Sequence, residues 1–390
     1  MTPQARVQAA IEVLDAIIAA ARSKGAPADR ILSDWFRSRR YAGSKDRRAV
    51  RELVYSAIRA CGEIPPSGRA AMLRVAADDP VIAALFDGSR HGPAPIGPAE
   101  PVAGAGSAPA WLADALSASG VDAAGQAALL TRAPVDIRIN PLKAALAQLP
   151  EPGAPTVAPG ARRFPPDTPV EQWPAYQAGA IEVQDAGSQL VCEAVAVRPG
   201  EAVVDLCAGA GGKTLALAGA MDNIGRLLAC DADRARLARL APRAERAGVR
   251  IAEIRLLDTG READALGDWF GQADAVLIDA PCSGTGTWRR NPESRWRLTP
   301  AEVARLATLQ ARLLALGARL VRPGGRLVYV VCSLLDAEGA DQIEAFLVAN
   351  PEWRAVPPGL AAGQPRGQGL RLTPRFDECD GFFVARLGRP

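Results

Sequence analysis

From about residue 181 to its end, the chain alternates short apolar runs with segments of helical periodicity, and this alternation limits the fold more than any other feature. The strand candidates are Ala202 to Leu206, Arg226 to Cys230, Arg250 to Leu257, Ala275 to Ile278, Arg326 to Val331 and Phe382 to Ala385, with helical patterns between most of them. Parallel strands need a long crossover between them, so strand and helix in alternation imply a mostly parallel, doubly wound α/β sheet. In such sheets ligands bind outside the carboxyl ends of the strands, so the chemistry is to be sought where each apolar run stops.

The first run ends in Asp205-Leu206-Cys207-Ala208-Gly209-Ala210-Gly211-Gly212-Lys213-Thr214 and leads into a helix. Glycines there permit positive φ and close backbone approach, and the helix start offers free N–H groups. Two phosphate-binding readings fail on spacing. A Walker A loop would need Gly where Cys207 stands, and G-x-G-x-x-G would need Gly where Thr214 stands. Acids follow the later strands: Asp231 the second, Asp258 the third and Asp279 the fourth. A carboxylate after the second strand can accept both ribose hydroxyls, and one after the third can reach an adenine amino group, so the set favours an adenosyl cofactor.

The single histidine, His91, lies among Gly92, Pro93, Pro95 and Pro98, a segment that reads as linker. Histidine-dependent hydrolases and metalloenzymes are thereby excluded, leaving Asp, Glu, Cys, Lys and backbone groups to do any chemistry. The seven cysteines contain no C-x-x-C pair, which argues against a zinc site or a disulfide framework. Cys61, Cys192 and Cys230 read as small buried apolar residues. Cys282 in Asp279-Ala280-Pro281-Cys282-Ser283 and Cys332 in Val331-Cys332-Ser333 differ, because each ends a central strand and is followed by Ser. Both thiols are expected beside the glycine turn. A thiolate adding to carbon 6 of cytosine makes carbon 5 nucleophilic enough to attack an electrophilic methyl group, and Asp279 can hold the base edge at ring nitrogen 3. Which of the two sulfurs attacks is left open by this chemistry.

The remainder of the chain divides at its proline-rich stretches. Residues 7 to 18 and the run from Ser44 to Ile58 are amphipathic helices. The first 62 residues carry twelve basic and six acidic side chains, an excess of +6 against +3 for all 390 residues. Residues 91 to 110 hold five Pro and four Gly and read as linker, followed by a helical stretch from Trp111 to Leu130. Val135 to Asn140 alternates as a half-buried strand, and Pro150 to Pro174 is proline-rich, so 131–180 is expected to be a small α+β subdomain. The expected units are thus 1–130 (helical), 131–180, and 181–390 (catalytic). No apolar run is long enough to span a membrane, and no secretory leader is legible, so a cytoplasmic monomer is expected.

DLCAGAGGKT at 205–214, DAPCSGTGTWRRNPESRWR at 279–297, PGGRLVYVVCS at 323–333 and DGFFVARL at 380–387 together resemble the Nol/Nop/Sun (RsmB-like) family of S-adenosylmethionine-dependent RNA (cytosine-5) methyltransferases, in its bacterial 16S rRNA branch. The resemblance implies a class I Rossmann-like domain with a seven-stranded sheet, preceded by a NusB-like helical RNA-binding domain. It implies Cys332 as nucleophile, Cys282 for product release and Asp279 at the base. Cofactor contacts are implied for Cys207, Ala208, Gly209, Ala210, Gly211, Gly212, Lys213, Asp231, Asp258 and Asp279. In DNA cytosine methyltransferases the Pro-Cys cysteine attacks instead. Two departures stand out: Gly209-Ala210 replaces the family's usual Ala-Pro, and Val331 replaces the usual Thr before the nucleophile.

Arginines beside indoles suit a splayed single strand of RNA, with guanidinium on phosphate and planar groups on bases. Arg289, Arg290, Asn291 and Arg295, close to Trp288 and Trp296, are therefore expected to contact RNA, with Arg138 and Asn140 as further contacts. Ribosomal RNA is the expected substrate and transfer RNA the alternative, with no metal required. The rivals are methylation of DNA cytosine and a non-catalytic RNA-binding assembly factor.

Overall fold

The computed structural model describes residues 1–390 and separates into two compact units: Met1–Thr131 with Thr287–Pro300, and Arg132–Gly286 with Ala301–Pro390. The segment 287–300, which the sequence places inside the catalytic region, therefore packs with the helices of the amino-terminal unit.

In that unit the expected helices are longer than their apolar stripes: α1 (Pro3–Arg22), α2 (Ala28–Ser38), α3 (Ser44–Ala60) and α4 (Gly68–Asp78). Thr2 caps α1 by accepting from the Ala5 N–H, and Pro3 at the first turn gives up no helical hydrogen bond. Val7, Leu14 and Ile17 of α1 meet Val50, Val54 and Ile58 of α3 in one core. A Cβ on Gly68 would stand 2.2 Å from the Ile11 carbonyl oxygen, so only glycine lets α4 approach α1 this closely. The proline-rich stretch 91–110 is not a free linker. Ala103 donates to the Ala70 carbonyl, Gly62 donates to Gly104, Cys61 bridges Ala105, and Arg69 pairs with Glu100. Two short helices, Ala110–Ala118 and Ala123–Ala128, replace the single helical stretch expected there.

The second unit begins with a four-stranded antiparallel sheet in the order 154–155, 162–164, 135–139, 181–183, closed over Ile137, Phe164, Trp173 and Ile181. The large sheet follows: β1 (Ala202–Asp205), β2 (Arg226–Asp231), β3 (Ala252–Leu256), β4 (Ala273–Asp279), β5 (Val321–Val331), β6 (Arg354–Val356), β7 (Gln364–Arg366), β8 (Gly369–Leu372) and β9 (Phe382–Gly388). Its order is β7-β8-β9-β5-β4-β1-β2-β3, with β6 pairing β9. All six strand candidates are present. The expected count of seven is corrected to nine, and the sheet is mixed: β3 to β5 run parallel through β2, β1 and β4, while every pairing of β6 to β9 is antiparallel. The extra strands are short and carry Gln, Pro, Arg or Gly, so no apolar run announces them.

Both faces of the parallel strands are covered, and the side chains divide by the two-residue period of a strand. Leu327, Tyr329 and Val331 of β5 join Val204, Val276 and Ile278 under helices 300–320 and 340–349. Val328 and Val330 join Val203 and Leu277 under helices 186–193 and 212–220. Such double burial leaves the strands' carboxyl ends as the place where polar groups gather.

Candidate active site

Asp205 closes β1 and the chain turns sharply after it. Gly209 (φ +54°) and Gly211 (φ +86°) occupy the left-handed region, where a Cβ costs about 1 kcal/mol or more. Asp231 at the end of β2 fixes the turn: its two oxygens accept the N–H groups of Gly209 and Asp233, each at 2.7 Å. Helix 212–220 then starts on Gly211 with no side-chain cap, and a Cβ on Gly212 would meet nothing within 4 Å. The result is an open cradle with uncapped amide donors. Inside it, Asp205 is fully buried; one carboxylate oxygen accepts from the Thr214 hydroxyl at 2.7 Å and the other has no partner. An orphaned buried acceptor below an uncapped helix start fits a ligand carrying hydroxyl or ammonium donors, such as an adenosyl amino acid. Cys207, Ala208 and Ala210 complete the turn; Cys207 is half-buried, and burial followed by the nearby Asp231 carboxylate pushes its thiol well up. Asp258, just beyond β3, is exposed.

Lys213, in the first turn of the helix, reaches Asp279 at the end of β4, Nζ to Oδ2 2.6 Å. Burial works against the ammonium, but the Asp279 carboxylate outweighs it and holds Lys213 above the usual lysine range. Beyond Asp279 the chain turns through Pro281 to Cys282, while β5 ends at Val331 and delivers Cys332. The two sulfurs lie 3.4 Å apart, both half-buried. β5 neighbours β4 rather than β1, so Cys332 reaches the site from the strand beyond the one that carries Cys282. Contact with the Cys332 sulfur, burial and the Glu338 carboxylate all push the Cys282 thiol well up. By contrast, Cys61 is buried in the helical unit and Cys192 is buried within electrostatic reach of Lys213 and Asp279, each raised to about 11 chiefly by burial.

A family profile described as 16S rRNA methyltransferase RsmB/F matches residues 192–388, a span that holds both cysteines, the glycine turn and all nine strands. The chain belongs to the RsmB/F methyltransferase family. A relative from Synechocystis sp., named a probable ribosomal RNA small subunit methyltransferase B, is 35% identical over 269 residues, which is 65% of this chain and 59% of that protein. The chain thus spans about three fifths of that relative's length. Among solved structures, that of PH0851 superposes with a TM-score of 0.77 at 25% identity, covering 99% of both chains. A methyltransferase homologue from Pyrococcus horikoshii gives 0.59 at 26% identity over 72% of this chain and all of its own.

Within this RsmB/F member, several residues expected to contact RNA are structural. Arg295 is fully buried in the helical unit and donates to the carbonyls of Ile58 (2.6 Å), Cys61 (2.8 Å) and Pro292. Trp296 donates to Gly62 at 3.1 Å and joins the α1–α4 core, and Trp288 is fully buried. Arg289 is buried beside them, so of this group Arg290 is half-exposed and Asn291 exposed. A guanidinium with no exposed surface and both amino groups on interior carbonyls is not presented to phosphate, and this corrects the expectation for Arg295. Asn140 is likewise withdrawn: its buried amide bridges the carbonyls of Gly179 and Ala247, both at 2.8 Å. Arg138 is half-buried, with Nε on Gln184 at 2.7 Å.

Sequence reasoning missed Glu338. It is fully buried in a short turn after β5, where it accepts from the Ser283 N–H at 2.9 Å, the Ser283 hydroxyl, the Ser333 hydroxyl at 2.6 Å and Gln310 Nε2 at 3.1 Å. The signal available was the Ser that follows each cysteine.

Proposed function

We propose that the chain is an S-adenosylmethionine-dependent RNA methyltransferase that modifies carbon 5 of a cytosine, with 16S ribosomal RNA as substrate. The observation that carries this reading is the pair of sulfurs 3.4 Å apart beside the Lys213–Asp279 ion pair and the cradle after β1. Two cysteines so close, free of any disulfide, suit a reaction that makes and then breaks a carbon–sulfur bond. Family membership and relatives named for small-subunit ribosomal RNA support the substrate class.

In this reading S-adenosylmethionine, when bound by the 205–213 turn and Asp231, supplies an electrophilic methyl group. The Cys332 thiolate adds to carbon 6 of cytosine, and the displaced ring electrons make carbon 5 the nucleophile toward that methyl. Asp279, held by Lys213, engages ring nitrogen 3 so that charge does not accumulate on the base. After transfer, Cys282 assists removal of the proton from carbon 5; the ring double bond re-forms and the bond to Cys332 breaks, returning its thiolate. The cytosine must be unpaired or extruded to reach the sulfurs.

Replacing Cys332 with Ala should abolish methylation of ribosomal RNA, while Cys282→Ala should accumulate an RNA–protein adduct that survives a denaturing gel. Full activity in Cys332→Ala would overturn the assignment. Absence of any adduct in Cys282→Ala would overturn the division of labour between the sulfurs.

A further inference from the structure

The two cysteines are chemically alike and stand at the ends of adjacent strands, yet the proposed reaction gives them different tasks. Their surroundings differ. The Lys213 ammonium acts electrostatically on Cys332, whereas the side of Cys282 is occupied by the buried Glu338 carboxylate, bonded to the very next residue through both the Ser283 N–H and its hydroxyl. The same carboxylate accepts from Ser333, the residue after Cys332, and the hydroxyls of Ser283 and Ser333 lie 3.1 Å apart. Thr285 ties in as well, its hydroxyl 3.2 Å from that of Ser333 and accepting from the Leu334 N–H at 2.8 Å. One carboxylate thus staples the loop after β4 to the loop after β5.

We propose that Glu338 is a positioning residue for the two-cysteine reaction: by holding Ser283 and Ser333 it fixes the spacing of the sulfurs, and it sets a buried carboxylate on the Cys282 side of the pair. The inference deepens the methyltransferase reading and rests on it. Glu338 receives four donors, none of them charged. A charge in such a site acts strongly on a group a few ångströms away.

Several elements pack around the carboxylate. Helix 300–320 contributes Gln310, which also donates to the Pro281 carbonyl at 2.9 Å. β5 contributes Tyr329, whose hydroxyl donates to the Glu338 carbonyl at 2.6 Å and whose burial keeps it a phenol. Asp336, two residues earlier, is neutralised by Arg366 and Arg371. Among these groups, none offers Cys282 a cation to offset Glu338.

The test uses the full-length protein and iodoacetamide, with alkylation at each sulfur followed by mass spectrometry across pH. In a Cys332→Ala background, Glu338→Gln should move the alkylation midpoint of Cys282 down by about one pH unit, roughly a tenfold gain in thiolate at fixed pH. An unchanged midpoint would overturn the proposal. Because Glu338→Gln removes a buried acceptor and is able to unfold the protein, a second comparison leaves Glu338 intact. There Ser283→Ala with Ser333→Ala, which cuts the hydroxyl ties of the carboxylate to both loops, should slow the diamide-driven oxidation of Cys282 and Cys332 to a disulfide by about tenfold, and an unchanged rate would also overturn the proposal. Neither measurement involves RNA. Its failure is therefore distinct from failure of the methyltransferase reading, which the Cys332→Ala methylation assay decides alone.

Discussion

At the scale of single residues, Asp205 carries the clearest pH signature. Burial, partly opposed by the Thr214 hydroxyl and added to by Asp279, raises its carboxyl from the ordinary 3.8 to about 7. The folded state therefore holds a proton that the unfolded chain has already released. Stability from this group is fully present below about pH 4 and is lost progressively as pH rises toward 7. The upper bound is about 4 kcal/mol, from roughly three pH units at 1.4 kcal/mol each. Asp205→Asn keeps the shape and an acceptor for Thr214 while removing the ionisation. Its melting temperature should fall less than that of the unmodified protein between pH 4.5 and 7.5, and parallel curves for the two proteins would refute the buried-ionisation account.

At the scale of elements, the strand-end loops hold the two sulfurs together through backbone as well as through Glu338. Gly286 donates to the Cys332 carbonyl at 3.0 Å and accepts from the Gly381 N–H at 2.8 Å, so the loop after β4 is laced to the loop after β5 and to the approach to β9. A Cβ on Gly286 would lie 2.1 Å from the Gly381 carbonyl oxygen, and backbone cannot yield as a flexible side chain does. Gly286→Ala should shift the loop that carries Cys282. Displacement of about 1 Å in a reacting group can cost on the order of a hundredfold in rate. The expected result is at least a tenfold loss of methyl transfer with S-adenosylmethionine affinity unchanged by calorimetry, because the turn after β1 is not touched; equal losses in both would contradict it. These contacts also mark how far the sequence was legible. Short apolar runs gave away β1 to β5 and β9, and residue chemistry at their ends pointed to Asp231, Asp258, Asp279, Cys282 and Cys332. The convergence on Glu338 was hidden because a Glu in a polar turn reads as solvated until the fold encloses it. The arginine-rich run after Cys282 misled for the converse reason: a loop arginine reads as a phosphate contact, while Arg295 spends its donors on interior carbonyls.

At the scale of the molecule, the helical unit is discontinuous in sequence, since residues 287–300 complete it from 156 residues beyond Thr131. Trp296 fills the core that α1 and α3 build, and Arg295 satisfies the carbonyls at the end of α3. Burial pushes Arg295 down to about 10, still charged at neutral pH, so its charge-assisted bonds persist there. Trp296→Ala should cost about 3 to 5 kcal/mol through the cavity it leaves. Arg295→Met, similar in length but without donors, should add a penalty of about 1 to 3 kcal/mol for each interior carbonyl it strands. Both losses belong to the helical unit. Hydrogen exchange should show the amides of α1 and α3 losing protection in either variant while those of β4 and β5 keep theirs. Equal loss in the sheet would mean that the two units unfold as one. A chain beginning at Arg132 retains Arg295 and Trp296 without the helices that bury them, and should expose their apolar surface and associate at concentrations where the full chain does not.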